Sequence, residues 1–184
     1  IPSGPAGGGS RRALASSASL QSGQADCRRR DYTAAIPALQ RAAEMAPSSS
    51  LVRYITGACA LSSGQLNLAE AELRAAFRLN PLDATTLLAL ASALQAKGDL
   101  QGALEASEKA GRIWPKDEAV NLALGDIRAA AGNIKGSMDA YRAALEGNPH
   151  SVRAFMRMAN LHEGQKELPL AAIQFFAPGP LSRV

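Results

Sequence analysis

A repeat of 34 residues runs through this chain and constrains its fold more than any other feature. A proline, a glycine and a small residue each recur at that interval. The recurring residues are Pro47, Pro81, Pro115 and Pro149, then Gly64, Gly98 and Gly132, then Ala35, Ala69, Ala103, Ser137 and Ala171. Three registers do not share one period by chance, and a period of this length is typical of helical solenoids.

Each repeat contains two apolar segments of helical spacing, separated by a short break. In residues 84–117 the segments are TTLLALASALQAK and LQGALEASEKAGRI, and the break is Gly98-Asp99. Glycine suits the end of a helix because the left-handed conformation there costs other residues about 1–2 kcal/mol. Apolar residues make up 47% of the chain and aromatic residues only 4%, so Ala and Leu must form the core. Both residues favour helices, and we therefore predict an all-α fold.

The prolines divide the chain into repeats when each is placed near the end of its unit. The predicted repeats are 16–49, 50–83, 84–117, 118–151 and 152–177. Residues 1–15 begin with a run of Gly, Pro and Ser and are predicted to form a flexible N-terminal arm, and residues 178–184 a C-terminal tail. The Ala- and Ser-rich stretch after Arg11 and Arg12 is also typical of a transit peptide or export signal. Because the chain begins with Ile1, we expect a processed form or a fragment.

The repeats resemble the tetratricopeptide repeat, a 34-residue helix–turn–helix unit, over residues 16–177. The resemblance rests on small residues at two further positions, Gly23, Gly57, Ala91, Gly125 and Ala159 in the first helix and Ala42, Ala76, Ala110 and Ala144 in the second. Arg30 and Lys166 depart from the pattern, since they replace the turn glycine in the terminal repeats. The resemblance implies a right-handed superhelical α-solenoid.

The resemblance also implies a concave groove lined by the first helix of each repeat. The residues that it places in contact with a partner are Leu51, Tyr54, Leu88, Ser92, Gln95, Leu122, Asp126, Met156 and Asn160. They form an apolar ladder with small polar groups at its edges, which suits an amphipathic helix or an extended apolar segment. The alternative is that these side chains pack against neighbouring first helices.

Catalysis and cofactor binding are not indicated by any motif in the sequence. No glycine-rich phosphate loop follows a strand pattern, and His150 and His162 stand in no recognised arrangement with a nucleophile. Cys27 and Cys59, even with the two histidines, give too few ligands at suitable spacing for a metal site. We expect no catalytic, metal-binding or cofactor-binding residues and no small-molecule substrate. We expect the cysteines to be small, semi-buried residues without a disulfide framework, which leaves the redox compartment open.

The charge balance and hydropathy of the chain do not indicate a nucleic-acid partner or a membrane span. The chain has 20 basic and 16 acidic side chains, a balance well short of what marks a nucleic-acid-binding protein. It has no run of about 18 apolar residues, so we expect no membrane-spanning helix. Phe175 and Phe176 precede a break at Pro178 with no polar capping helix after it. We therefore expect that the natural chain continues, that the tail covers this end, or that the chain associates with a partner through it.

The sequence therefore predicts a non-catalytic scaffold for protein–protein interaction that binds a protein or peptide partner. We expect it to assist the assembly of a multiprotein complex, such as a secretion, pilus or polysaccharide-export apparatus. Three alternatives remain open: a subunit or assembly factor of an organellar complex, the regulatory repeat region of a larger enzyme, and an RNA-binding helical repeat. The compartment also remains open between the bacterial cytoplasm, the periplasm and an organelle of an alga-like eukaryote.

Overall fold

The computed structural model describes residues 8–164, and every regular element in that range is an α-helix. The helices are α1 (Gly8–Arg28), α2 (Tyr32–Met45), α3 (Ser50–Ser62), α4 (Leu66–Leu79), α5 (Ala84–Ala96), α6 (Leu100–Ile113), α7 (Glu118–Ala130), α8 (Ile134–Gly147) and α9 (Val152–Gly164). The first eight pair in order as helix–turn–helix hairpins. The chain divides between Trp114 and Pro115 into two compact units, the first with α1–α6 and the second with α7–α9.

The beginning of the chain differs from the prediction. Helix α1 begins at Gly8, so residues 8–15 are helical, whereas we expected a flexible arm up to residue 15. The Gly and Ser content of residues 1–10 led to that expectation, but residues 11–15 read RRALA and are strong helix formers. Residues 1–7 and 165–184 lie outside the described part of the chain. The second helix of the fifth repeat, Lys166, the Phe175–Phe176 pair and the C-terminal tail therefore lie outside it as well.

Polar side chains begin most of the helices. The capping side chains, each of which accepts a hydrogen bond from a backbone N–H of the first turn, are Asp31, Ser49, Asp83, Asp99, Asp117, Asn133 and Ser151. Such caps satisfy donors that have no partner inside the helix. Burial raises the pKa of Asp83, but hydrogen bonds from Thr85 and Thr86 outweigh it and hold the pKa below its usual value.

The turn inside each complete hairpin is closed by one residue in the left-handed conformation. In three hairpins this residue is glycine: Gly64 with φ 78°, Gly98 with φ 85° and Gly132 with φ 77°. In the first hairpin Arg30 adopts the same conformation, with φ 62°. The residue after it bonds as in the other turns, since Asp31 N donates to Asp26 O at 2.9 Å and Asp99 N to Leu94 O at 2.9 Å. The first turn therefore has the glycine geometry without the glycine.

Small residues permit the close approach of the two helices in each hairpin. A Cβ atom on Gly57 would lie 2.6 Å from Leu73 Cγ, and one on Gly125 would lie 2.3 Å from Tyr141 Cε1. No side chain fits at those distances, so glycine is required there by packing. The alanines that repeat along the second helices are fully buried, namely Ala35, Ala69, Ala103, Ala42, Ala76 and Ala110. The second unit has its own core of Leu122, Tyr141, Ala144, Ala154 and Met158.

Candidate protein-binding face

Five of the predicted groove residues lie on α3 and α5, which contact each other within the first unit. Leu51 is 59% exposed, Ser92 and Gln95 are exposed, and Tyr54 and Leu88 are half-buried. We call these five residues the α3–α5 face. The face therefore combines accessible apolar side chains with exposed polar ones.

The α3–α5 face carries no uncompensated charge. Helix α5 contains no charged residue, and the one charge on α3 belongs to Arg53. Arg53 Nη1 pairs with Glu72 Oε2 of α4 at 2.9 Å, so its charge is compensated within the repeat. Helix α6 of the third repeat, in contrast, carries both acidic and basic side chains, Glu105, Glu108, Lys109 and Arg112. Of the two helices of the third repeat, only the second therefore carries charged side chains.

The second unit holds the other four predicted residues, and Leu122 is not accessible among them. Its side chain is only 7% exposed and packs in the core with Tyr141 and Met158. The expected groove role of Leu122 is therefore corrected to a core role, because neighbouring helices cover it. Met156 is 58% exposed and Asn160 is exposed, both on α9.

Asp126 is engaged in contacts within the second unit. Its Oδ1 accepts hydrogen bonds from Tyr141 Oη at 2.7 Å and from Arg157 Nε at 2.7 Å. Burial and the adjacent Asp126 carboxylate raise the pKa of Tyr141 to about 12. The same carboxylate raises the pKa of Arg157. Asp126 thus links α7, α8 and α9, and its carboxylate is already partnered before any ligand binds.

A disulfide bond joins the first helix of the first repeat, α1, to the first helix of the second repeat, α3. Cys27 of α1 and Cys59 of α3 are bonded, with their Cα atoms 6.0 Å apart. The expectation of two unlinked cysteines is therefore wrong. The two cysteines are 32 residues apart, which is two residues short of the repeat length. Each therefore lies near the end of the first helix of its repeat, and these two helices are neighbours. That register was the signal in the sequence that could have identified the pair.

A cleft of about 400 Å³ opens beside this disulfide, between α1 and α3. Tyr54 of the α3–α5 face forms part of its wall, so the cleft continues that face toward α1. Cys59 is 2% exposed, whereas Cys27 is half-buried. The complete lining is Gln24, Cys27, Arg28, Tyr54, Ile55, Ala58, Cys59 and Ser62. The sequence did not predict this cleft, because it depends on the distance between two helices of different repeats.

Within residues 8–164, no cluster of three or more His, Cys, Asp or Glu side chains is placed to hold a metal ion. No helix in the same range combines the length and the apolar character that crossing a membrane requires.

Solved structures of helical repeat proteins are similar to this chain. The crystal structure of MamA has a TM-score of 0.74 and 20% identity, and the match covers 88% of each chain. PilF of Pseudomonas aeruginosa has a TM-score of 0.71 and 21% identity, over 85% of this chain and 71% of that one. YrrB, described as a tetratricopeptide repeat protein with an unusual peptide-binding site, has a TM-score of 0.65 and 16% identity, over 86% of this chain and 84% of that one. Among proteins of curated function, none matches the sequence.

The sequence itself matches a family model. The model of the tetratricopeptide repeat matches residues 20–72, 60–118 and 122–178, which together make up most of the chain. The described helices and the similar structures agree with that match, since both give an all-α helical repeat solenoid. The chain therefore belongs to the tetratricopeptide repeat family.

Proposed function

We propose that the chain is a non-catalytic scaffold whose α3–α5 face binds an apolar or amphipathic segment of a protein partner. Tetratricopeptide repeat proteins generally serve as scaffolds for protein–protein interaction. The observation that carries the proposal is the absence of charge on α5 together with the exposure of Ser92 and Gln95 on the same helix. A helix without charge is normally covered, and here part of its surface remains accessible.

Packing within the first unit leaves these side chains accessible. Leu51 is 59% exposed at the start of α3, and Leu88 and Tyr54 are half-buried beside it. Burial of such side chains by a partner contributes about 25 cal/mol for each Å² of apolar surface removed from water. An apolar or amphipathic segment gains this contribution without having to match a charge.

The setting that we propose is the assembly of a multiprotein complex, of the secretion, pilus or polysaccharide-export kind. A peptide-binding site is known for YrrB, one of the similar structures, which supports the view that this fold presents peptide-binding surfaces. The extensive contact between the paired helices of each hairpin supports it further, because a preformed surface loses little entropy when a segment binds.

The test uses a peptide selected from a random phage-displayed library on the full chain in its disulfide-bonded form. Two exposed residues of the face are replaced together, Leu51→Asp with Ser92→Asp. The matched control, Ala71→Asp with Gln101→Asp, adds the same charge at exposed sites on α4 and α6. We expect the first pair to weaken peptide binding by at least about tenfold, because it places carboxylates against apolar ligand surface. The measurement is titration calorimetry, with circular dichroism to compare helical content.

The control pair is expected to bind the peptide as the unaltered chain does. Equal loss in both pairs, or no loss in either, contradicts a binding role for the α3–α5 face. Selection of peptides that compete with RNA, with binding that falls steeply as salt rises, favours the RNA-binding alternative instead.

A further inference from the structure

We propose that the Cys27–Cys59 disulfide is a redox-controlled clamp that holds α1 against α3 and thereby keeps the cleft between them in its peptide-accepting form. The clamp regulates the binding face described above, so its effect on binding rests on the proposed function. Its effect on α1 does not depend on that function. The inference is carried by the small number of residues that α1 buries, the placement of both cysteines in the cleft wall, and the difference in their exposure.

Helix α1 has few buried side chains of its own. Of residues 12–28, only Ser16 and Gly23 are buried. Leu14 is 68% exposed, and Leu20 is half-buried against the cluster that contains Val52. Helix α1 packs mainly on α2, where Ser16 Oγ donates to Ala42 O at 3.2 Å. Non-covalent contacts therefore attach α1 to its own hairpin more firmly than to α3.

The following pair of first helices shows how the same contact is made without a bond. One repeat further along, the positions of Cys27 and Cys59 are occupied by Leu61 and Ala93. Ala93 is fully buried and Leu61 is half-buried, and α5 buries seven of its residues. Buried side chains hold α5 in place without a covalent link, whereas α1 has few of them and carries the disulfide.

The two sulfur atoms differ in their accessibility to a reductant. Cys59 is 2% exposed, whereas Cys27 is half-buried in the cleft wall. A dithiol reductant can therefore attack through the cleft at Cys27 Sγ. Its thiolate forms a new sulfur–sulfur bond to Cys27 and breaks the Cys27–Cys59 bond, and the electron pair leaves on Cys59 Sγ, which takes up a proton.

The second thiol of the reductant completes the reaction. It loses its proton and displaces Cys27, which leaves with the electron pair of the mixed disulfide and is protonated to a thiol. The reductant is thereby oxidised to its own disulfide, and the chain gains two electrons and two protons. With the bond broken, Gln24 and Arg28 on the α1 wall of the cleft are no longer tied to Tyr54 on the α3 wall.

The effect on α1 is tested by amide hydrogen exchange of the full chain, disulfide-bonded and after reduction with dithiothreitol. We expect residues 16–28 to exchange at least about tenfold faster in the reduced chain, because local opening of α1 no longer has to strain a covalent link. Helix α5 serves as the internal control and should change less than about twofold. Equal exchange of α1 in both forms would overturn the proposal.

The effect on binding is tested with the phage-selected peptide described above. We expect its affinity to fall by at least about tenfold on reduction, because one wall of the cleft is released. The variant Cys27→Ala with Cys59→Ala should bind like the reduced chain and should not respond to dithiothreitol. Reduction of the unaltered chain keeps the test decisive even where the alanine variant fails to fold.

The two proposals can fail separately. A peptide that is lost on Leu51→Asp with Ser92→Asp, yet binds equally to oxidised and reduced chain, overturns the clamp and leaves the binding face standing. A peptide that is insensitive to that pair overturns the proposed face, and the hydrogen exchange of α1 then decides the clamp alone.

Discussion

The first and third repeats share one helix–turn–helix plan but are stabilised differently. In the third repeat, α5 buries seven residues, among them Leu87, Leu90 and Leu94. In the first repeat, α1 buries only Ser16 and Gly23 among residues 12–28, and a disulfide ties it to α3. The first helix of the third repeat is thus held by packing, whereas the first helix of the first repeat buries few residues and carries a covalent link to the second repeat.

The turns of the two repeats also differ, because one is closed by glycine and the other by arginine. Gly98 closes the third-repeat turn with φ 85°, a conformation that glycine adopts without strain. Arg30 closes the first-repeat turn with φ 62°, where its Cβ crowds the backbone. The turn of the first repeat thus keeps the left-handed conformation, although it has arginine in place of the glycine that favours this conformation.

The largest expected effect tests the difference in packing directly. Leu94→Ala should lower the free energy of unfolding by about 2–5 kcal/mol, because it removes a leucine that is 2% exposed and leaves a cavity. The residue at the same repeat position in α1 is Asp26, which pairs with Arg29 at 2.6 Å. Asp26→Ala should cost less than about 1 kcal/mol, because Arg29 is 73% exposed and water screens the ion pair. Urea denaturation of both variants measures the difference, and equal losses would contradict it.

The helix boundaries could be predicted from the sequence because several markers agree at each one. Helices α3, α5, α7 and α9 begin at Ser50, Ala84, Glu118 and Val152, which are the first residues of the predicted repeats. A proline precedes each start and a glycine or its substitute lies in each turn, so period and turn chemistry fix the same register. The start of helix α1 at Gly8 was not predicted, because no proline or capping residue in the register of the repeat marks a helix boundary before Ser16.

The candidate site was less predictable, because repeat position does not determine burial. Leu88 and Leu122 occupy the same position in successive repeats, yet Leu88 is half-buried and Leu122 is 7% exposed. The difference arises from neighbours, since Tyr141 and Met158 pack with Leu122. The disulfide likewise depends on contact between two repeats, which the separation of its cysteines, close to the period, indicates but does not establish.

A smaller effect is expected where the repeats differ in how their paired helices fit. In the first repeat Leu39 fits only because Gly23 lacks a Cβ, which would lie 2.6 Å from Leu39 Cγ. The third repeat has Ala91 and the fully buried Ser107 at these positions. Ser107→Leu should therefore destabilise the chain by about 1–3 kcal/mol through overpacking.

Adding Ala91→Gly to Ser107→Leu converts the third-repeat pair into the first-repeat type. We expect Ala91→Gly to recover most of the stability that Ser107→Leu removes. On its own, Ala91→Gly should cost about 1 kcal/mol, because glycine is a poor helix former. A double-mutant cycle by urea denaturation gives the coupling between the two sites. Additive losses would contradict the idea that a leucine in the second helix requires a glycine at the facing position of the first helix.

The smallest expected effect concerns the turn of the first repeat. Arg30→Gly should stabilise the chain by about 0.5–1 kcal/mol, because glycine removes the left-handed strain and returns only part of that gain as unfolded-state entropy. Arg30→Ala serves as the matched control, since it removes the charge and keeps the Cβ. We expect no gain from alanine, so a gain of equal size in both variants would assign the effect to the charge. Thermal and urea denaturation of the disulfide-bonded chain measure both changes.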